Sequence, residues 1–308
     1  MPIITNCPVC RSANTKLHLD GNDNLSPQSV GSSRTKLSHG RILRCNECRS
    51  CFRSFRPDGE QLAELYQSAD DTVYEGELLN RRRTAMRHRR IVERRHPQPG
   101  TIIDVGCASG VFLRLMADDG WTVYGVEPTA AQYAKAKSIL PETACIQQTT
   151  LEKAVLPHNA DVVTLWDVLE HVPNPSEFLQ KCSSLLRPSG HLVLNVPRID
   201  SFSAGVLRSH WPLLLAEHLN YFTLEGLRAL GKQAGLQLVA TGRRPVTFSV
   251  DYICYRLSQH GLPGMSRAGE LLSRLNMQSW SASIFMGEIF AIFTKTDPEF
   301  AECPLTST

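Results

Sequence analysis

An apolar run that ends in a turn of small residues constrains this chain more than any other feature. Ile102-Ile103-Asp104-Val105 leads into Gly106-Cys107-Ala108-Ser109-Gly110, and an amphipathic segment with Val111, Phe112, Leu115 and Met116 follows. Such a run, bounded by glycine and feeding a helical pattern, predicts a buried parallel strand passing into a helix. Gly106 and Gly110 lack a Cβ, so a ligand can lie against the loop backbone. A second strand, Val123-Tyr124-Gly125-Val126, ends in Glu127 and Pro128. A carboxylate at a strand tip beside such a loop can take both hydroxyls of a ribose.

The loop separates the nucleotide classes. A dinucleotide site wants G-x-G-x-x-G so that a pyrophosphate can sit on bare helix amides, and the middle glycine is missing here. No G-x-x-x-x-G-K-[ST] phosphate cradle occurs in the chain. The cadence then continues with Asp161-Val162-Val163-Thr164-Leu165-Trp166-Asp167, Leu169-Glu170-His171-Val172, and a helix from about Pro175 to Leu186 that stops at Arg187-Pro188-Ser189-Gly190. His191 to Pro197 is a further strand. Strands and helices alternating at this spacing predict an α/β fold with a doubly wound, mostly parallel sheet.

Taken in this order, D-x-G-C-x-x-G, the strand-tip acid, D-V-V-x-L-x-D, L-E-H-V, L-L-x-P-x-G and V-P resemble the class I methyltransferases that use S-adenosylmethionine (SAM), over roughly residues 100 to 240. The resemblance implies a seven-stranded Rossmann-like sheet whose final strand is antiparallel, with Leu236–Ala240 and Gly287–Phe293 as the last two strands. It implies cofactor contacts at Asp104, Gly106, Cys107, Ala108, Gly110, Glu127, Pro128 and Asp167. Ala108 departs from the commoner glycine. After the third strand, Thr149-Thr150-Leu151-Glu152 offers no Asp for the adenine amino group, which leaves adenine to Leu151 and to packing against Trp166.

The cysteines are the second strong signal. Cys7-x-x-Cys10 and Cys45-x-x-Cys48 can each supply two thiolates to one tetrahedral zinc ion, as in a zinc ribbon. Redox thiols are the plain alternative. Cys51 is an alternative to Cys48, and His39 a weaker candidate ligand. Between the knuckles, Asn22-Asp23-Asn24, Ser26-Pro27 and Gly31-Ser32-Ser33 predict a mobile excursion. Cys107, Cys145, Cys182, Cys254 and Cys303 are expected as small core residues. With Phe55-Arg56-Pro57, Leu65-Tyr66 and Tyr74, this front end is similar to that of bacterial-type methyltransferases with an N-terminal zinc module. Several of these act on nucleotide-linked sugars or polysaccharide precursors.

Charged residues at 20%, hydrophobics at 42% and a net charge of +3 describe an ordinary globular chain with no strong polyanion preference. No apolar run reaches the ~18–20 residues of a membrane span, and the first residues lack signal-peptide character. The expectation is a cytoplasmic protein. Arginines 81, 82, 83, 87, 89, 90, 94 and 95, interleaved with Leu78, Leu79, Met86, Ile91 and Val92, predict a helix with a basic outer face. It reads as a solvated face or as a phosphate-binding surface, so nucleic acid stays open as a partner.

Two constellations carry candidate chemistry. Asp167-x-x-Glu170-His171 sits at the sheet's C-terminal edge, where ligands bind in such folds. It resembles the stretch that holds a divalent metal in quinone O-methyltransferases, with Asp replacing the first Glu. The plain alternative is an ordinary helix opening. Trp211 … Glu217-His218-Leu219-Asn220-Tyr221-Phe222 resembles a motif of zinc-containing sugar C-methyltransferases, and implies His218 as acceptor base, supported by Glu217 and assisted by Tyr221. A carboxylate beside an imidazole raises its basicity. The plain alternative is that this segment packs the cover onto the sheet.

The expected organisation is a zinc module at 1–60, an Arg-rich helical connector at 61–98 and a SAM-dependent methyltransferase domain at 99–308. Acceptor covers are expected at about 198–223 and 245–284, with helices at Asp251–Gln259 and Arg267–Met277 serving as a lid or a homodimer contact. The expected activity is methyl transfer to a small hydroxylated acceptor, such as a nucleotide-linked sugar or polysaccharide precursor. Alternatives are RNA methylation through the zinc module and Arg helix, metal-assisted quinone or phenol O-methylation, and a non-catalytic SAM-binding scaffold.

Overall fold

The computed structural model describes residues 4–21, 40–55, 78–215, 217–243, 245–250, 253–254, 258, 264–275 and 280–296. Outside them lie His39, Cys303, the excursion at 22–33, residues 61–77 of the expected connector and six of the nine residues of the expected helix at 251–259.

Three strands, β1 (Thr15–Leu19), β2 (Ile42–Cys45) and β3 (Cys51–Arg53), precede helix α1 (Leu78–Glu93). A βαβ series follows: β4 (Thr101–Val105), α2 (Val111–Asp118), β5 (Thr122–Val126), α3 (Ala130–Ile139), β6 (Cys145–Gln147) and β7 (Ala160–Trp166). Next come a 3₁₀ turn at Leu169–His171, α4 (Pro175–Leu185), β8 (Leu186–Pro197), α5 (Phe202–Leu207), β9 (Asn220–Tyr221) and α6 (Leu224–Gln233). The chain closes with β10 (Leu236–Arg243), β11 (Val246–Ser249), α7 (Met265–Arg274), β12 (Ser281–Ile284) and β13 (Glu288–Lys295).

The main sheet has seven strands in the order β10-β13-β8-β7-β4-β5-β6, with β13 alone running against its neighbours. This is the expected doubly wound sheet with a reversed final strand. Alternation along the parallel strands fills two cores. Ile103, Val105, Val163 and Leu165 face one, while Ile102, Val123 and Val162 face the other.

Three differences from the sequence reading have physical causes. The expected turn at 187–190 is a bulge inside β8: pairing with β7 jumps from Ala160↔Leu186 to Val162↔His191. Ser189 takes a positive φ of 59°, and a Cβ on Gly190 would come within 2.9 Å of the Arg187 carbonyl oxygen. On α1, Met86 is exposed, and the inward face is Ala85, His88 and Val92. His88 stacks on Trp166 with ring centroids 3.6 Å apart, so a residue counted as polar packs as an aromatic. The third concerns β9, which forms inside the expected cover at 198–223. It joins β1, β2 and β3 in a four-stranded sheet, so the N-terminal strands are completed by a strand from about 170 residues further along the chain.

Helix α2 lies so close to the sheet that Gly125 has no room for a side chain. A Cβ there would meet Ile146 Cδ1 at 2.7 Å and both Cys107 Sγ and Leu113 Cδ1 at 2.9 Å. Gly125→Val should destabilise the protein by about 1–3 kcal/mol through overpacking, read as a lowered urea midpoint.

Candidate active site

The loop after β4 leaves the strand with alternating left-handed residues, Gly106 (φ 77°), Ala108 (φ 46°) and Gly110 (φ 74°). Gly110 also lets α2 approach α3, since its Cβ would lie 3.0 Å from that of Ala136. Ala108 pays the cost of a Cβ in a left-handed conformation, and Glu127 holds it there. One Glu127 oxygen accepts from the Ala108 amide at 2.9 Å and the other from the Thr129 amide at 2.8 Å. The strand-tip acid is thus buried against the loop.

A cavity of about 490 Å³ opens in front of this loop, lined by Asp104 and by residues 106–109. Trp166 and Asp167 also line it, whereas Gly110, Glu127, Pro128 and Leu151 are not among its lining residues. Leu151 and Trp166 belong to cores on opposite faces of the sheet. The structure therefore does not bring them together around one adenine. Trp166 has one face occupied by His88 and packs at an angle to Phe112.

The same cavity also carries a group of ionisable side chains. Glu170, His171 and His218 place ligand-capable atoms within 4.8 Å of one another. His171 Nδ1 lies 3.1 Å from the Glu217 carbonyl oxygen, and His218 Nδ1 lies 2.9 Å from the Leu213 carbonyl oxygen. A carbonyl only accepts, so both imidazoles carry their proton on Nδ1 and their lone pair on Nε2. The two rings meet edge to face, with centroids 4.7 Å apart. Burial lowers the His171 pKa, partly opposed by the Glu217 charge and carbonyl. Burial and the nearby Asp167 charge push the Glu170 carboxyl well up, and its Oε2 is buried without a hydrogen-bond partner.

These positions correct three expectations. Glu217 acts on His171, and the orienting partner of His218 is the Leu213 carbonyl. Tyr221 is fully buried away from the cavity lining, its hydroxyl donating to the Leu215 carbonyl at 3.3 Å, so it is placed to pack rather than to assist. Asp167, with a left-handed φ of 56°, turns to accept a hydrogen bond from Asn195 Nδ2. His218, from the cover, takes the place in the Glu170–His171 cluster that sequence spacing assigns to Asp167. Desolvation of its carboxyl raises Asp167 to about 6, opposed by the Asn195 hydrogen bond and the Arg81 charge.

At the other end of the chain, Cys7, Cys10, Cys45 and Cys48 form one cluster whose sulfurs lie within 4.8 Å of one another. Cys7 and Cys48 are 3.6 Å apart, and Cys10 and Cys45 3.5 Å. Zinc–sulfur bonds of ~2.3 Å in a tetrahedron put sulfurs ~3.8 Å apart, so the four residues fit a structural zinc ion. A hydrogen bond from Cys7 pulls the Cys48 thiol down to about 5, while the Cys7 thiol is pushed up. Cys51 is outside this set: its buried side chain packs with Ile42, Trp211 and Tyr221.

Of the arginines on α1, Arg87 donates to the Pro245 carbonyl at 2.8 Å, Thr247 Oγ1 at 2.7 Å and Ser283 Oγ at 2.9 Å. Arg89 pairs with Glu93 at 2.7 Å and Asp119 at 2.6 Å. Both are engaged inside the fold. Arg81 lines the cavity.

The sheet order, the glycine-bearing loop and the strand-tip acid together define a class I SAM-dependent methyltransferase. A family model described as a methyltransferase domain matches residues 78–241, more than half of the chain, and the protein belongs to that family. Over 103 residues it is 40% identical to the ubiquinone biosynthesis O-methyltransferase of Haemophilus ducreyi, a match spanning 30% of this chain and 44% of that protein. It is 26% identical over 170 residues to the enzyme of the same name from Cupriavidus pinatubonensis, spanning 51% of this chain and 68% of that one. The chain spans less than half the length of the first curated relatives it matches. Among solved structures, it resembles Burkholderia thailandensis 1,6-didemethyltoxoflavin-N1-methyltransferase with bound 1,6-didemethyltoxoflavin and S-adenosylhomocysteine. The TM-score there is 0.53 at 16% identity, covering 82% of this chain and 98% of that one. Among the described residues, no helix is long and apolar enough to cross a membrane.

One buried carboxyl sets a pH dependence of stability. Burial raises Asp104 from 3.8 to about 7, opposed by the Thr164 hydroxyl that donates to it at 2.6 Å. A raised carboxyl binds its proton more tightly in the folded chain, so its contribution is best below the unfolded value and is lost as pH rises toward 7. Without added cofactor, Asp104→Asn should be more stable than the wild type at pH 8, on the order of a few kcal/mol. The gap in unfolding midpoint should narrow steadily as pH falls toward 4.

Proposed function

We propose that this methyltransferase methylates a hydroxyl on a small acceptor with an apolar or aromatic body, and that His218 removes the acceptor's proton. The observation that carries the reading is the cavity, which runs from the cofactor loop at residues 106–109 to the histidine pair at 171 and 218. SAM supplies an electrophilic methyl group on its sulfonium. The loop backbone would hold the cofactor, its shape fixed by Glu127 through the Ala108 and Thr129 amides. The cavity walls align the acceptor hydroxyl and keep water out. The proton passes from that hydroxyl to His218 Nε2, the Nδ1 proton being fixed by the Leu213 carbonyl. His171, kept neutral by burial, does not repel the imidazolium that forms.

The walls favour an apolar-bodied acceptor over a nucleotide-linked sugar. Phe112, Leu213, Leu215, Ile284, Phe285 and Met286 line them. Arg81 is the only arginine or lysine in the described lining, against the two phosphates of a nucleotide-sugar. A hydroxyl conjugated to a ring is also the more acidic kind, which suits an imidazole base.

A second reading rests on the same side chains. Glu170, His171 and His218 are also a set that can hold a divalent cation, with both imidazoles oriented through Nδ1 by carbonyls as metal ligands usually are. A cation there would polarise the acceptor oxygen.

His218→Gln should lower kcat toward a catechol-type acceptor by about 10²–10⁴-fold, the usual worth of a general base. Cofactor affinity, read by titration with S-adenosylhomocysteine, should stay within about two-fold because the loop is untouched. Wild-type kcat would sink the base role. Loss of wild-type activity on chelation, with the cysteine-bound zinc retained by metal analysis, would transfer it to the cation.

A further inference from the structure

The four-cysteine cluster and the ionisable group of the cavity are joined through one short strand. β3 begins at Cys51, just past Cys48, and pairs antiparallel with β9 through Cys51↔Tyr221 and Phe52↔Asn220. The Arg53 amide adds a hydrogen bond to the Leu219 carbonyl at 3.0 Å. On the other side of this segment, the Leu219 amide donates to the Glu170 carbonyl at 2.8 Å, and Asn220 Nδ2 donates to the Val172 carbonyl at 2.8 Å. β9 therefore runs between the cysteine knuckle and the turn that carries Glu170 and His171, and His218 lies two residues before it.

Buried side-chain bonds lock the far end. Thr223 Oγ1 donates to the Cys48 carbonyl at 2.5 Å and accepts from the Gly226 amide at 3.0 Å. Ser50 Oγ accepts from the Thr223 amide at 3.3 Å, and the Ser50 carbonyl accepts from the Cys45 amide at 2.9 Å. The knuckle sits so close to α6 that a Cβ on Gly226 would fall 2.1 Å from Ser50 Oγ. Cys7, Cys45 and Cys48 share one apolar cluster with Leu169, Phe222 and Leu227. A hydroxyl that reaches a ligand cysteine's own carbonyl depends on where that knuckle is held.

We infer that the cysteine centre positions the acceptor side of the active site, with Thr223 and Ser50 as positioning residues that transmit the knuckle's geometry through β9 to His218. The zinc ion would be held by Cys7, Cys10, Cys45 and Cys48, and its effect on the cavity is mechanical. The consequence for rate rests on the base role proposed for His218, while the positional claim does not.

The test is an amide hydrogen-exchange map of the full-length, zinc-loaded protein and of its Thr223→Val and Thr223→Ser variants. Thr223→Val should keep one zinc per chain, bind S-adenosylhomocysteine as the wild type does, and speed exchange across 217–222 by about ten-fold or more with no change at 101–110. Its kcat should fall by about 10–100-fold, the scale of an ångström misplacement, and Thr223→Ser should restore both. Unchanged exchange at 217–222, or acceleration spread equally over 101–110, would overturn the inference. If Thr223→Val does not fold, the same map of wild-type protein stripped of zinc by a thiol-binding mercurial decides, with the same two outcomes. A silent His218→Gln variant beside a local exchange change would remove the base role and leave the positioning claim standing.

Discussion

Parallel strands put all their carboxyl ends on one edge, and the rest of this molecule is organised by that constraint. β4, β5, β7 and β8 run the same way, so the loop at 106–110, Glu127, Asp167 and the end of β8 arrive at one crevice. Nothing in the pairing brings ligand groups to the opposite edge, where the observed contacts hold the strands. There Asp161 accepts from the Thr101 amide at 2.7 Å and from Arg187 Nε at 2.6 Å. A hydrogen bond between His96 and His191 at 2.7 Å adds to that brace. One edge is left to chemistry and the other to closure.

The sequence makes this edge legible because the signals are local. An apolar run, a small-residue turn and an acid at the next strand tip are all contained between 102 and 127, and each is dictated by backbone sterics or burial. The partners chosen across long separations are not legible in that way. That His218 turns its Nδ1 to Leu213 while Glu217 serves His171 depends on how one turn folds back. That Asp167 leaves the Glu-His cluster depends on Asn195, 28 residues on. His88, read as part of a basic helix, is an aromatic spacer for Trp166 across more than 70 residues of chain. β9 is two residues long, too short for any periodicity, and only the unpaired edge of β3 calls it into being.

Three carboxyls with strongly raised pKa values gather at the functional edge. Asp104, Asp167 and Glu170 are all pushed toward their neutral forms by desolvation. Their concentration around one cavity is what a site that must handle a cationic cofactor and a proton would show. The left-handed Ala108 and Asp167 add backbone strain at the same place.

The acceptor walls are built differently from the cofactor side, and this bears on how far kinship can identify the substrate. The family model ends at residue 241. Phe248, Ile284 and Phe285 then line the cavity from the two-stranded β11–β12 sheet and the residue after it. That strand pair is tied to α1 by Arg87 and contributes no strand to the main sheet. A segment attached in this way can change its apolar residues without disturbing the order of the seven strands or the loop at 106–110. The shared portion of the chain therefore fixes the cofactor and the direction of methyl transfer. Ile284, Phe285 and Met286, half of the apolar wall residues named above, lie beyond that portion, so kinship over 78–241 does not by itself identify the acceptor.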